Sequence, residues 1–170
     1  MDTISPEQRS KIMSRIRSRD TKPELLVRRY LYAHGFRYRV NVKTLPGTPD
    51  IALRKYRTAI FINGCFWHGH SCLKGRMPKS NADFWLQKIL RNQTRDEEAR
   101  IKLRQLGWRT MVVWECQLKP KVREKTLQEI AFLLNSAFLD KYRSPEPSSY
   151  TEEETSLSIA AEDDFPTYGG

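Results

Sequence analysis

The sequence predicts an α/β domain in which helices flank a mixed sheet, and three observations carry that reading. Four short runs of alternating or β-branched residues, near 36–42, 51–53, 58–62 and 108–114, are each bounded by turn signals. One long helical pattern separates the third run from the fourth, so helices and strands alternate along the chain. Further helical patterns open and close the chain, so the predicted order is α-α-β-β-β-α-β-α, with no internal repeat.

Each element has a local reason. Ser5 to Arg19 carries Ile12, Met13 and Ile16 among Arg9, Lys11, Arg15, Arg17 and Arg19, and reads as a basic helix or arm. Thr21-Lys22-Pro23-Glu24 has capping-box spacing, with Pro in the first turn, and opens a helix bearing Leu25, Leu26, Tyr30, Leu31 and Ala33 that Gly35 stops. Phe36 to Val42 alternates like a half-buried strand. Leu45-Pro46-Gly47-Thr48-Pro49 is a turn, Asp50-Ile51-Ala52-Leu53 begins a second strand, and Lys55-Tyr56-Arg57 turns into the apolar central strand Thr58 to Ile62. After a loop from Asn63 to Lys79, N-cap spacing at Ser80 to Asp83 starts a long helix ending at Leu106 and Gly107. Trp108 to Trp114 is the last strand, and Val122 to about Leu139 is the closing amphipathic helix.

Charge divides the chain into three parts. Residues 144–170 hold seven acidic side chains and no Lys or Arg. The remaining 143 residues therefore carry 30 basic against 13 acidic groups, a net of +17. The expected organisation is a basic arm over 1–20, a domain over 21–143 and a flexible acidic tail over 144–170. A body this basic points to a polyphosphate partner, because neutralising phosphates releases counterions. No stretch approaches the ~18 apolar residues of a membrane span. The start lacks the apolar core of a secretory signal, and the three cysteines are an odd number, so an intracellular, reducing setting is expected rather than a disulfide framework.

The chemistry concentrates in Asn63-Gly64-Cys65-Phe66-Trp67-His68-Gly69-His70-Ser71-Cys72. Cys65, His70 and Cys72 on this loop, with Cys116 after the last strand, would supply the Cys₃His set that zinc favours in structural sites; the alternative is buried free thiols and a loop histidine. Asp50 starts one strand, and the next strand ends at the loop bearing His68. Adjacent strand ends can thus bring a carboxylate for Mg²⁺ and an imidazole base together, the parts of a phosphodiester hydrolase. Phe66, Trp67 and Trp85 suit stacking on bases or wedging between them, against the alternative of core packing, which is the reading for Trp108 and Trp114. Glu24 reads as a capping residue or an active-site carboxylate, and His34 as a partner of a helix C-terminus.

Several segments resemble the very-short-patch-repair (Vsr) DNA mismatch endonucleases: Arg9 to Met13, Arg19-Asp20-Thr21, Leu45 to Asp50, Ile60 to Cys72, Phe84 to Ile89, Asn92, Arg95-Asp96, and Leu106-Gly107-Trp108-Arg109 through Cys116. The likeness covers roughly 9–135 and leaves out the tail from Ser144. It implies a restriction-endonuclease-like core that nicks one strand of double-stranded DNA beside a T:G mismatch. It implies Asp50 and the Ile62 carbonyl as Mg²⁺ ligands, His68 as the catalytic imidazole and Glu24 as an active-site carboxylate. Cys65, His70, Cys72 and Cys116 would bind structural Zn²⁺, while Phe66, Trp67 and Trp85 wedge into the duplex and Met13 and Ile16 oppose them from the arm. A cytoplasmic, nucleoid-associated bacterial monomer working beside mismatch-repair proteins is the implied setting.

Where the best-known members carry Thr-His, this chain has Ile62-Asn63, so a second active-site imidazole is missing. Asn63 can hydrogen-bond a phosphate or water but cannot take a proton at neutral pH. The sequence therefore leaves two further readings: a mismatch-binding module of the same fold that does not cut, and a nuclease with a restriction-type target.

Overall fold

The computed structural model describes residues 19–79 and 81–140, together with Ser5, Glu7, Gln8, Lys11 and Ser14. Met13, Ile16, most of the basic arm and the acidic tail lie outside the described residues. Among the described residues, helices α1 (Lys22–Ala33), α2 (Ala82–Gln105) and α3 (Arg123–Asp140) surround strands β1 (Arg39–Val40), β2 (Ile51–Leu53), β3 (Thr58–Asn63) and β4 (Arg109–Trp114). Single 3₁₀ turns at Leu73–Gly75 and Glu115–Leu118 follow β3 and β4. Among the described residues no helix is long and apolar enough to cross a membrane.

The sheet is mixed and runs in the order β1-β2-β3-β4. β2 pairs antiparallel with β1 and with β3, whereas β3 and β4 are parallel in the register Thr58↔Arg109 to Asn63↔Trp114. The antiparallel turn places the start of β2 beside the end of β3, and the parallel pairing places the end of β4 there too. Three chain segments rich in polar side chains therefore meet at one end of the sheet.

Strand alternation sorts the core into two layers. Ile51, Leu53, Ile60 and Val113 face α1 and α3, packing with Val27, Leu31, Leu127, Ile130 and Leu134. Ala52 and Ala59 face the other way, against Leu103 of α2 and the indole of Trp108. The alanines leave room for α2 to approach the sheet.

Two expected boundaries move. The alternation over 36–42 yields a ladder of only Arg39 and Val40, because Asn41 adopts φ 48° and carries the chain out of register while Phe36 is drawn into the core. The long helix begins at Ala82 rather than through side-chain capping: its N-cap is Asn81, with φ 52° and no side-chain bond to the first turn. At α1 the capping geometry is as the spacing predicts, since the Thr21 hydroxyl accepts from the Glu24 N–H.

Candidate active site

Asp50 directly precedes β2, and its Oδ2 accepts a 2.7 Å hydrogen bond from the Ile62 N–H across the end of β3. The carboxyl is pushed up from 3.8 to about 6. Burial is the main cause; the Ile62 N–H opposes it, nearby Glu24 adds to it, and the charges of Arg28 and His68 pull it down. The same balance shows that Glu24, Arg28, Asp50 and His68 share one electrostatic neighbourhood.

Glu24 is 4% exposed; it takes the capping role at α1 and lies close enough to Asp50 to raise its carboxyl. Its carboxylate accepts from the Asp20 N–H at 3.0 Å, the Thr21 hydroxyl at 2.8 Å and Arg28 Nη2 at 2.9 Å, so it caps α1 while facing Asp50. With its oxygens so engaged, it sets the local charge and leaves Asp50 as the carboxylate available to a cation. Arg28, 6% exposed, also holds the Asp20 carboxylate and lies 3.5 Å from the Asp50 carbonyl. A buried guanidinium between two carboxylates costs desolvation that only such pairing offsets. Arg28 was absent from the expected site, although its i,i+4 spacing from Glu24 was readable.

The loop after β3 is fixed to α2 by a row of polar contacts. Asn92 Nδ2 donates to the Trp67 carbonyl at 2.8 Å and Gln93 Nε2 to the His68 carbonyl at 3.1 Å, while His68 Nδ1 sits 2.5 Å from Asp96 Oδ2. Gly69 makes this approach possible. It has φ +64°, and a Cβ there would lie 2.6 Å from Gln93 Nε2 and 2.8 Å from Ile89. Asp96, to which the sequence assigns no role, thus orients the imidazole. With Nδ1 directed at a carboxylate, Nε2 is the ring nitrogen turned away from that contact.

The four predicted metal-binding side chains converge. The ligand atoms of Cys65, His70, Cys72 and Cys116 all lie within 4.8 Å of one another. Three sulfurs and an imidazole form a donor set suited to a soft or borderline cation in a closed tetrahedral site. Burial pushes the Cys65 thiol up to about 12, and a hydrogen bond with His70 brings Cys72 down to about 6. A cation in the cluster would favour the thiolate form of all three cysteines. Trp114 departs from its core-packing expectation: it stacks on the His70 ring at 4.3 Å, forming one wall of the cluster, whereas Trp108 is buried as expected.

Phe66, Trp67 and Trp85 gather on the same side. The Phe66 ring lies 5.1 Å from both Trp67 and Trp85, edge-on in each case, and Phe84 extends the group with 54% of its surface exposed. All three predicted wedge residues are half-buried and in mutual contact, outside the two core clusters. Lys88, Arg91 and Arg95 border a shallow groove beside Phe84.

The chain is also similar to known proteins. The family model described as DNA mismatch endonuclease Vsr matches residues 1–74. The type II nicking enzyme V.NmeAIP of Neisseria meningitidis is 53% identical over 120 residues, 71% of this chain and 86% of that enzyme. The type II nicking enzyme V.XorIIP of Xanthomonas oryzae is 47% identical over 117 residues, 69% of this chain and 86% of its own. The DNA mismatch endonuclease Vsr of Escherichia coli is 43% identical over 128 residues, 75% of this chain and 81% of its own. With identity and coverage at this level, the chain belongs to the Vsr family of DNA endonucleases.

Proposed function

We propose that this enzyme nicks one strand of double-stranded DNA beside a T:G mismatch, in a reaction that requires Mg²⁺. The observation that carries the reading is that Asp50, at one end of the sheet, lies within reach of the charge of His68, whose ring Asp96 orients, with Phe66 of an aromatic cluster outside the core on the same loop.

Asp50 suits a hard divalent cation. It is a carboxylate held in a partly buried place beside a second acid, and a cation would relieve the cost of ionising it. The Ile62 carbonyl is its natural companion, because the N–H and C=O of one strand residue face the same neighbour and the Ile62 N–H already faces Asp50. When bound there, Mg²⁺ supplies Lewis-acid stabilisation of charge developing on the phosphoryl oxygens. His68 accepts the proton of the attacking water at Nε2 while Asp96 holds Nδ1. Arg28 and Glu24 fix the charge around Asp50. A structural Zn²⁺ on Cys65, His70, Cys72 and Cys116 would tie the loop bearing His68 to the end of β4. Phe66, Trp67 and Trp85 would enter the duplex at the mismatch, where stacking is weakest, with Met13 and Ile16 of the arm opposing them. The restriction-endonuclease-like core belongs to the same proposal and is compatible with the mixed sheet.

The test is incubation of the protein with end-labelled duplexes, one carrying a T:G pair and one fully matched, with and without Mg²⁺. A single nick in one strand of the T:G duplex, dependent on Mg²⁺, is expected. Equal cutting of both duplexes in a fixed sequence would favour the restriction-type target, and mismatch binding without nicking would favour the binding module.

A further inference from the structure

Beside the His68–Asp96 pair, on the α2 side of the sheet, lies a cavity of about 270 Å³. Its wall includes Asn63, Thr48, Arg95, Arg100 and Asp96, and its floor Phe61 and Val112. Asn63 is only 9% exposed, yet its side-chain amide has no hydrogen-bond partner among the described residues and borders this space. The Nε of Arg100 is buried without a partner, while its Nη2 pairs with Glu97 at 2.6 Å. A buried polar group left unpaired forfeits its hydration with nothing in return, so the Arg100 Nε, with the Asn63 amide open to the same space, calls for a ligand that supplies acceptors.

The chemistry of the wall defines that ligand. Asn63 and Thr48 offer neutral donors; Arg100 offers the Nε that its pair with Glu97 does not use, and Arg95 the part of its fork not donated to Asn92, whereas the one acid of the lining, Asp96, is engaged with His68. A donor-rich, cationic recess selects an oxyanion, and the apolar floor of Phe61 and Val112 suits the carbons of a sugar. The volume sits below the ~300–1,000 Å³ of ordinary small-molecule pockets, which matches one backbone unit rather than a whole nucleotide ligand.

We propose that this cavity is a subsite for a single phosphate of the nicked strand, adjacent to the scissile one, held by Asn63, Thr48, Arg95 and Arg100. The proposal rests on the reading of the chain as an enzyme acting on DNA and specifies how it grips the strand. It gives Asn63 a positioning task as a neutral donor to phosphate, one that proton transfer does not require. Neutrality matters here, because an acid at the same place would repel the ligand.

Two binding measurements test it on the zinc-loaded protein without Mg²⁺. In the first, inorganic phosphate is titrated at constant ionic strength while the Asn63 side-chain amide is followed by NMR. That resonance should shift with saturation in the parent, and affinity should fall about 10-fold or more in Arg100→Gln, the loss of one charge-assisted hydrogen bond. Asn63→Asp, read by calorimetry, should bind phosphate more weakly still. In the second, a T:G duplex is scanned with neutral methylphosphonates. One position next to the nick should weaken duplex binding in the parent and have no further effect in Arg100→Gln. An Asn63 amide that does not respond, or equal phosphate affinity in parent and both folded variants, would overturn the subsite. So would a phosphate site whose loss leaves the methylphosphonate pattern unchanged, since it would then take free phosphate and not DNA. Both arms read binding, so a protein that meets them but never nicks would refute the proposed activity alone.

Discussion

Asp96 Oδ2 lies 2.5 Å from His68 Nδ1, joining the middle of α2 to the loop that follows β3. The pair fixes both the ring orientation and the nitrogen that faces outward. Asp96→Asn preserves size but removes the charge and allows the amide to present a donor to Nδ1, favouring the wrong tautomer. Supporting carboxylates of this kind are worth roughly 10–100-fold in activity. Nicking by Asp96→Asn should fall by about that factor, and by His68→Ala by roughly 10²–10⁴-fold, with duplex binding little changed in either. Single-turnover rates on the T:G duplex measure both. A full-speed Asp96→Asn would show that the contact only anchors the loop.

Asp50 gives a pH signature without any activity assay. Its folded value, about 6, lies above its ordinary 3.8. The native state thus holds this proton to higher pH than the unfolded chain does. The resulting stability is fully present below about pH 3.8 and is lost as pH rises through about 6. Replacing the carboxyl by a neutral amide in Asp50→Asn should remove that loss. Each tenfold change in proton affinity is worth about 1.4 kcal/mol, and residual contact with solvent trims the total. At pH 7 and without Mg²⁺ the variant should therefore be more stable than the parent by about 2 kcal/mol. Added Mg²⁺ should narrow the gap by stabilising the parent alone. Urea unfolding of both proteins from about pH 4 to 7.5 checks this, and a parent-minus-variant difference that stays flat across the range would contradict it.

The legible parts of this molecule are those where a rare residue type or a strong period carries the information. Only three cysteines and three histidines occur, so a quartet drawn from Cys65, His70, Cys72 and Cys116 could be named from scarcity and strand order alone. The apolar run Thr58 to Ile62 likewise gave a central strand and the run into Trp114 a further one, which lies at the edge of the described sheet and parallel to the first. Asp96 was hidden for the opposite reason. Asp96 stands among Arg95, Glu97 and Glu98 on a helix covered with charge, and no spacing tells which one meets a loop 28 residues away. Strand β1 was overextended because alternation reports which side chains face inward. It does not report whether the backbone stays in the ladder, and Asn41 leaves it.

Zinc should behave as part of the fold. Cys65 is buried at the end of β3, and Cys116 follows β4, so the metal would close a loop of chain whose own turns are short and polar. Protein purified without chelator should contain about one zinc per chain. Cys116→Ser should lower metal content and thermal stability together. Elemental analysis alongside thermal unfolding decides it, and a metal-free protein that melts unchanged after chelator treatment would rule the centre out.

The aromatic cluster makes the sharpest claim about recognition. Trp67 is held from behind, through its carbonyl and Asn92, while its ring meets Phe66 edge-on and lies 6.0 Å from Trp85. A ring fixed this way is preorganised for insertion between bases and loses little freedom on binding. Stacking a base on one aromatic side chain is worth about 1–3 kcal/mol, and opening the stack is least costly where pairing is already faulty. Trp67→Ala and Phe66→Ala should therefore reduce the preference for T:G over matched duplex by roughly 10-fold, while affinity for matched duplex falls much less, because phosphate contacts dominate there. Phe84→Ala, at the exposed rim of the cluster, should have a smaller effect. Competition binding with the two duplexes at one salt concentration measures the ratio. Equal losses on both would return Phe66 and Trp67 to a packing role and leave mismatch recognition to the N-terminal arm.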